Sequence, residues 1–164
     1  MRLTLHSIQE ILEPLAIANN VTQATHTRID HVTITLGNLY KTYNKPQLEE
    51  PIQMKILGSL EKRWAAADQD VFILSVVFNP WIRTCAFNCE ALTWMQLIFM
   101  ADCVFKRLFE MEPDFRFMSQ FTNYCDKAGA YSNEAMVLPM WKRKAEDQVR
   151  VANYSQLIYA NFVL

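Results

Sequence analysis

The chain has 164 residues and a mass of 19.2 kDa, enough for one domain with a substantial core. Its 51% hydrophobic and 20% charged residues exclude a disordered tail, and three glycines leave little material for phosphate-cradling loops or an all-β sandwich. Sixteen basic against seventeen acidic residues give a net charge of -1, so a generic basic nucleic-acid footprint is absent and only a local patch stays open.

Residues 1–6 carry no charged head, long apolar run or cleavage site of a signal peptide. The longest strongly apolar stretch, 71–78, falls far short of the roughly 20 residues of a membrane span. The expectation is a soluble protein inside the cell, nuclear or cytoplasmic, with no membrane contact. Cys85, Cys89, Cys103 and Cys125 then read as buried, reduced thiols.

In chain order, Ile8, Ile11, Leu12 and Leu15 have the spacing of an amphipathic helix, with Ser7 and Glu10 as a capping box and Pro14 as a kink or a later start. Ile29, Val32, Leu36, Leu39 or Tyr40, and Tyr43 repeat the stripe. Residues 32–36 also alternate with period two, but helical spacing persists over about four turns and predicts a helix. Pro46 and Pro51 mark a linker over 44–51. A third helix places Ile52, Ile56, Leu57, Leu60 and Trp64 on one side. Asp68 or Asp70 caps the run 71–78, which reads equally as a short buried helix or a central strand ended by Asn79-Pro80.

Leu92, Met95, Ile98 or Phe99, Phe105 and Leu108 continue a long helical pattern. After the turn at Glu112-Pro113, Asp114 caps a helix carrying Phe115, Met118, Phe121 and Cys125. Residues 126–133 form a loop in which Gly129 suits a helix C-cap, Pro139 breaks a short helix, and Trp141, Ala145, Val149 or Ala152, and Leu157 form a last one. The predicted fold is an all-α single domain over 1–164, a bundle of roughly seven helices, with one short buried strand at 71–78 as the variant.

Little in the sequence carries chemistry. Cys85 and Cys89 make one close pair, whereas a structural zinc site combines two such hooks. His26 and His31 are five apart, which on a helix spreads them by roughly 140°. Asp68 and Asp70 lack a third carboxylate for a two-metal site. No catalytic residue, metal site, cofactor or small-molecule substrate is therefore assigned. Basic residues beside tryptophan, Lys62-Arg63-Trp64 and Trp141 with Lys142-Arg143-Lys144, could contact phosphates and stack bases. Glu61, Glu146 and Asp147 dilute that charge, and solvated helix faces with the tryptophan turned inward explain the pattern better.

The blocks Leu60-Glu61-Lys62-Arg63-Trp64, Asp68-Gln69-Asp70-Val71-Phe72-Ile73-Leu74 and Phe78-Asn79-Pro80-Trp81-Ile82-Arg83 resemble hAT-superfamily transposase-like sequences of fungi, chiefly basidiomycetes. The resemblance extends upstream over 12–15 and 26–40 and downstream over 117–124 and 134–142, and so covers nearly the whole chain. It implies the helical insertion of a ribonuclease-H-like core, without the zinc finger, the early catalytic aspartates or the C-terminal Glu-Arg signature of that family. The function it implies is a catalytically inactive, transposase-derived scaffold or protein-interaction domain. The alternative is a nucleic-acid-binding module that keeps a DNA-facing surface, carried by Lys62, Arg63, Trp64, Lys142, Arg143 and Lys144. A domain parted from its core should self-associate or need a protein partner, with 71–87 as the expected contact.

Overall fold

The computed structural model describes residues 5–45, 48–88 and 90–140, together with Arg143. Among these residues the fold is all-α: six α-helices, two 3-10 turns and no strand. The chain divides into two compact units, Met1–Phe72 and Ile73–Leu164.

In the first unit α1 (Leu5–Gln23) packs on α2 (Ile29–Tyr43), and α2 packs on α3 (Glu50–Ala65). Ser7 stands inside α1 rather than capping it, and Pro14 is accommodated within the helix. The choice of helix for α2 is borne out, and of the expected stripe Leu39 and Tyr43 are buried and Leu36 packs on the core. Asp30, Ile34, Thr35, Leu39 and Tyr43 are buried, while Ile29 and Tyr40 are exposed. Pro51 begins α3 instead of breaking the chain, because a first-turn residue has no intrahelical N–H bond to lose. Ala18, Leu39, Tyr43 and Leu60 form the core, flanked by Leu15, Leu36, Leu48, Ile56 and Leu57. Polar ties reinforce it. Tyr43 OH donates to Ile11 O at 2.6 Å, and Gln53 Nε2 donates to Tyr43 O at 2.9 Å across the linker.

Residues 69–77 form helix α4 (Gln69–Val77), and the strand variant is excluded. Asp68 precedes it, with Val71 N donating to its Oδ1 at 3.5 Å. The second unit continues through a 3-10 turn (Arg83–Ala86), α5 (Trp94–Phe109), α6 (Phe115–Cys125) and a second 3-10 turn (Gly129–Tyr131). Thr93 and Gln96 make a reciprocal capping box at the start of α5. Asp114 caps α6 as expected, accepting from Phe117 N at 2.7 Å. The left-handed residue closing α6 is Lys127 (φ 57°), not Gly129. Ala128 N donates to Asn123 O and Lys127 N to Tyr124 O, the bond pair of a Schellman motif. Gly129 is also left-handed, but it opens the next turn. Pro139 falls at the start of the helical residues 138–140, and the expected last helix lies outside the described residues apart from Arg143.

The core of this unit is Leu74, Val77, Leu97, Ala101, Phe121, Tyr124 and Cys125. Of the stripe expected on α5, Leu92 packs against this core and Phe105 against Phe117, but the buried positions fall elsewhere. Leu97 and Ala101 point inward, whereas Met95, Phe99 and Leu108 are exposed. Cys125 is the buried thiol; Cys85 is exposed and Cys103 half-buried, against the expectation of core thiols throughout.

Candidate functional site

Two features distinguish the second unit. The first is Arg83, fully buried at 0% exposure, with backbone φ of 51°. A left-handed conformation costs an L-residue about 1–2 kcal/mol, so the side chain must recover more than that. Asn79 sets the approach: its O accepts from Arg83 N and Ile82 N, and its Oδ1 accepts from Trp81 N at 3.1 Å. The guanidinium then reaches across the sequence. Nη1 donates to Tyr124 O at 3.1 Å, and Nη2 donates to Tyr131 O at 2.7 Å and to Met136 Sδ at 3.1 Å. Its central carbon lies 4.9 Å from the Tyr124 ring centroid, a cation–π distance. Nε is buried and finds no acceptor among the described residues. Arg83 therefore bonds the end of α6 and the 129–136 segment together through carbonyls rather than through an ion pair. Burial pushes the neighbouring Tyr124 hydroxyl up to about 12 and the Cys125 thiol up to about 11, although the Arg83 charge works against both.

The second feature is a continuous line of aromatic rings. Phe78 and Trp94 both meet Phe121, at 5.8 and 6.0 Å between centroids. Phe121 stacks on Phe117 at 6.4 Å, Phe117 meets Phe105 at 4.4 Å, and Phe105 meets Phe109 at 4.6 Å. The line runs along the junction of α5 and α6, and its ends, Phe78, Trp94 and Phe109, are exposed. Of the sixteen residues of α5 only Gln96, Asp102, Lys106 and Arg107 are polar. Its four polar residues share one side of about 140°, and Met95 and Phe99 are exposed among them, while Leu108 and Phe109 are exposed at the helix end. Met111 and Phe115 extend the apolar surface beyond the helix end. Exposed large apolar side chains in this number suit protein contact.

In the expected contact segment 71–87, Leu74, Val76, Val77, Asn79, Arg83 and Ala86 are buried, and Phe78 and Trp81 are its exposed large apolar residues. The larger exposed apolar array lies on α5 and the turn after it. Sequence periodicity missed this because the apolar residues of α5 extend well beyond the stripe that faces inward.

Of the expected basic residues, Lys62 and Arg63 lie side by side and exposed in the last turn of α3, where their charges suit the helix C-terminus. Trp64 is half-buried and packs edge-on against Phe72, with centroids 6.3 Å apart, so its ring serves the first unit's packing. Arg143 is exposed and donates from Nε to Pro139 O at 3.4 Å. Lys142 and Lys144 lie outside the described residues, as does Cys89. Lys62 and Arg63 belong to the first unit and Arg143 to the second.

Asp30, beside His31, is buried and accepts both arms of Arg28, Nε to Oδ1 at 2.9 Å and Nη2 to Oδ2 at 2.7 Å. That pair fastens the start of α2. His26 is exposed and His31 half-buried. Among the described residues no group of three His, Cys, Asp or Glu is placed to hold a metal ion, and no helix is long and apolar enough to cross a membrane. No protein-family model matches the chain, and searches of curated proteins and of solved structures find no match either.

Proposed function

We propose that the chain is a transposase-derived helical domain without catalytic activity, acting as a scaffold or protein-interaction piece inside the cell. The observation that carries this reading is the outer face of α5. Met95, Phe99 and Phe109 are exposed there among the helix's charged residues, which favours a macromolecular partner over free solvent. The polar side chains that are buried serve structure: Asp30 is paired with Arg28, and Arg83 holds backbone carbonyls. Neither presents a nucleophile or a general base to solvent.

A nucleic-acid-binding module is the second reading, favoured by the adjacent exposed cations Lys62 and Arg63. Its stacking component is weakened because Trp64 is engaged with Phe72. The purified chain with supercoiled plasmid and Mg²⁺ or Mn²⁺ is expected to leave the DNA intact. Fluorescence anisotropy with a duplex oligonucleotide at physiological salt is expected to show no saturable binding. Metal-dependent nicking that vanishes on Asp68→Ala and Asp70→Ala overturns the inactive reading. Binding lost on Lys62→Ala with Arg63→Ala establishes the second.

A further inference from the structure

The outer face of α5 has an internal order that identifies what fits it. With 3.6 residues per turn, Phe99, Asp102, Lys106 and Phe109 fall within about 80° of one another around the helix. Along the axis they read aromatic, acid, base, aromatic, and they are placed symmetrically about Val104. Asp102 and Lys106 stand two residues on either side of it, and Phe99 and Phe109 five. Phe99 is 66% exposed and Phe109 61%. Turning the helix end for end about an axis at Val104 lays each aromatic on an aromatic and each charge on its opposite. The face is complementary to itself.

We propose that α5 is a self-pairing helix: a second copy of this chain docks antiparallel across a twofold axis level with Val104 along the helix, on the side away from the Val104 side chain, which packs on the core. Phe99 meets Phe109 of the partner subunit, and Asp102 meets Lys106 of the partner subunit. The inference rests on reading α5 as an interaction surface and names its occupant. A twofold, isologous contact of this kind closes on itself and leaves no open edge for further copies. The aromatic pairs supply the apolar burial. Within each helix Asp102 and Lys106 already pair at 3.0 Å, and Lys106 reaches Glu112 at 2.8 Å. Bringing two such helices together alternates the four central charges in sign around the axis. Exposed ion pairs add little affinity, but a wrong register would set like charges together, so the charges fix alignment. Met95, one turn beyond Phe99, carries the contact toward the turn after α5 in the second copy, where the exposed Met111 of the partner subunit lies. A net charge of -1 on the whole chain sets little repulsion against association.

The test is charge reversal followed by mixing, read by sedimentation velocity on the full chain over a concentration series. Wild type is expected to shift from 19.2 kDa toward twice that mass as concentration rises. Asp102→Lys alone sets two cations against two, and Lys106→Asp alone sets two anions against two. Each is expected to weaken association by about tenfold or more. An equimolar mixture of the two variants restores opposite charges at every contact and is expected to form a heterodimer near wild-type strength. A folding defect would not be cured by mixing, so the rescue isolates the pairing itself. Phe99→Glu, which leaves the charge pairs in place, is expected to keep helical circular dichroism while abolishing the dimer. A wild-type chain that stays monomeric at every concentration, or variants that stay monomeric when mixed, overturns the self-pairing. Plasmid cutting or saturable duplex binding overturns the proposed function instead, so the two failures are distinguishable.

Discussion

The two units hold themselves together by different means. In the first, mostly aliphatic residues of α1, α2 and α3 form the core, and several separate polar contacts tie it: Tyr43 onto Ile11, Thr33 onto Phe72, Gln53 onto the end of α2, Arg28 onto Asp30. In the second, one buried cation reaches segments more than forty residues distant, and a line of rings replaces the aliphatic core along one side. A unit tied by several separate bonds can lose one and keep its fold. A unit organised around a single residue concentrates its stability there, and the aromatic excess that builds its core also spills onto its surface.

The largest effect should therefore come from Arg83. Arg83→Ala strands the carbonyls of Tyr124 and Tyr131, empties the space of a fully buried side chain, and keeps the strained backbone. Unpaired buried carbonyls and a cavity together cost about 3–5 kcal/mol. Hydrogen exchange by mass spectrometry should show protection lost over 73–140 while 5–72 keeps its own. Equal loss in both units would break the comparison, because it would mean that they unfold as one.

Alkaline pH should separate the units next. Cys125 moves from 9.0 to about 11 and Tyr124 from 10.0 to about 12, both chiefly through burial. An acid whose folded value is raised stays neutral in the fold while the unfolded chain ionises, so its stabilising contribution is whole below the unfolded value. It then declines as pH climbs through the window from about 9 to 12. Two pH units at Cys125 correspond to about 2 kcal/mol after allowing for partial screening. Burial also raises Tyr43 in the first unit. Denaturant melts between neutral pH and 11 should show the early loss in the second unit, and Cys125→Ala should blunt its lower edge. Loss beginning in the first unit would reverse the assignment.

How much of this was legible in the sequence follows the same division. Local signals worked: Asp114 as a cap, Asn79-Pro80 as a stop and the stripe of α3 all depend on residues within a few positions. The run 71–78 was undecided because an apolar sequence without alternation packs equally well in either form, and only its neighbours select the helix. The inward face of α5 was unreadable for the related reason that its apolar residues extend well beyond the stripe that faces inward. Lys127 took the left-handed site expected at Gly129 because the hydrogen bonds closing α6 fall there, whatever the residue's own preference. Arg83 gave no signal at all. Its partners lie forty-one to fifty-three residues away, and an arginine beside a 3-10 turn reads as surface. The candidate surface therefore became visible only once the chain was folded.

The smallest effect compares two tyrosines that do the same job in different surroundings. Tyr43 OH donates to Ile11 O at 2.6 Å in a partly buried place, and Tyr124 OH donates to Val77 O at 3.1 Å in a fully buried one. Replacing either by Phe keeps the ring and removes one hydroxyl, so each variant measures one hydrogen bond plus the cost of the carbonyl it leaves behind. At Ile11 water can reach the carbonyl, and Tyr43→Phe should cost about 1 kcal/mol. At Val77 the carbonyl is sealed beneath the aromatic line, and Tyr124→Phe should cost about 1.5 kcal/mol despite the longer bond. Distance alone predicts the opposite order. Urea melts of the two variants decide between burial and bond length, and a larger loss at Tyr43 would show that the first unit leans on this one hydroxyl more than its several separate ties suggest.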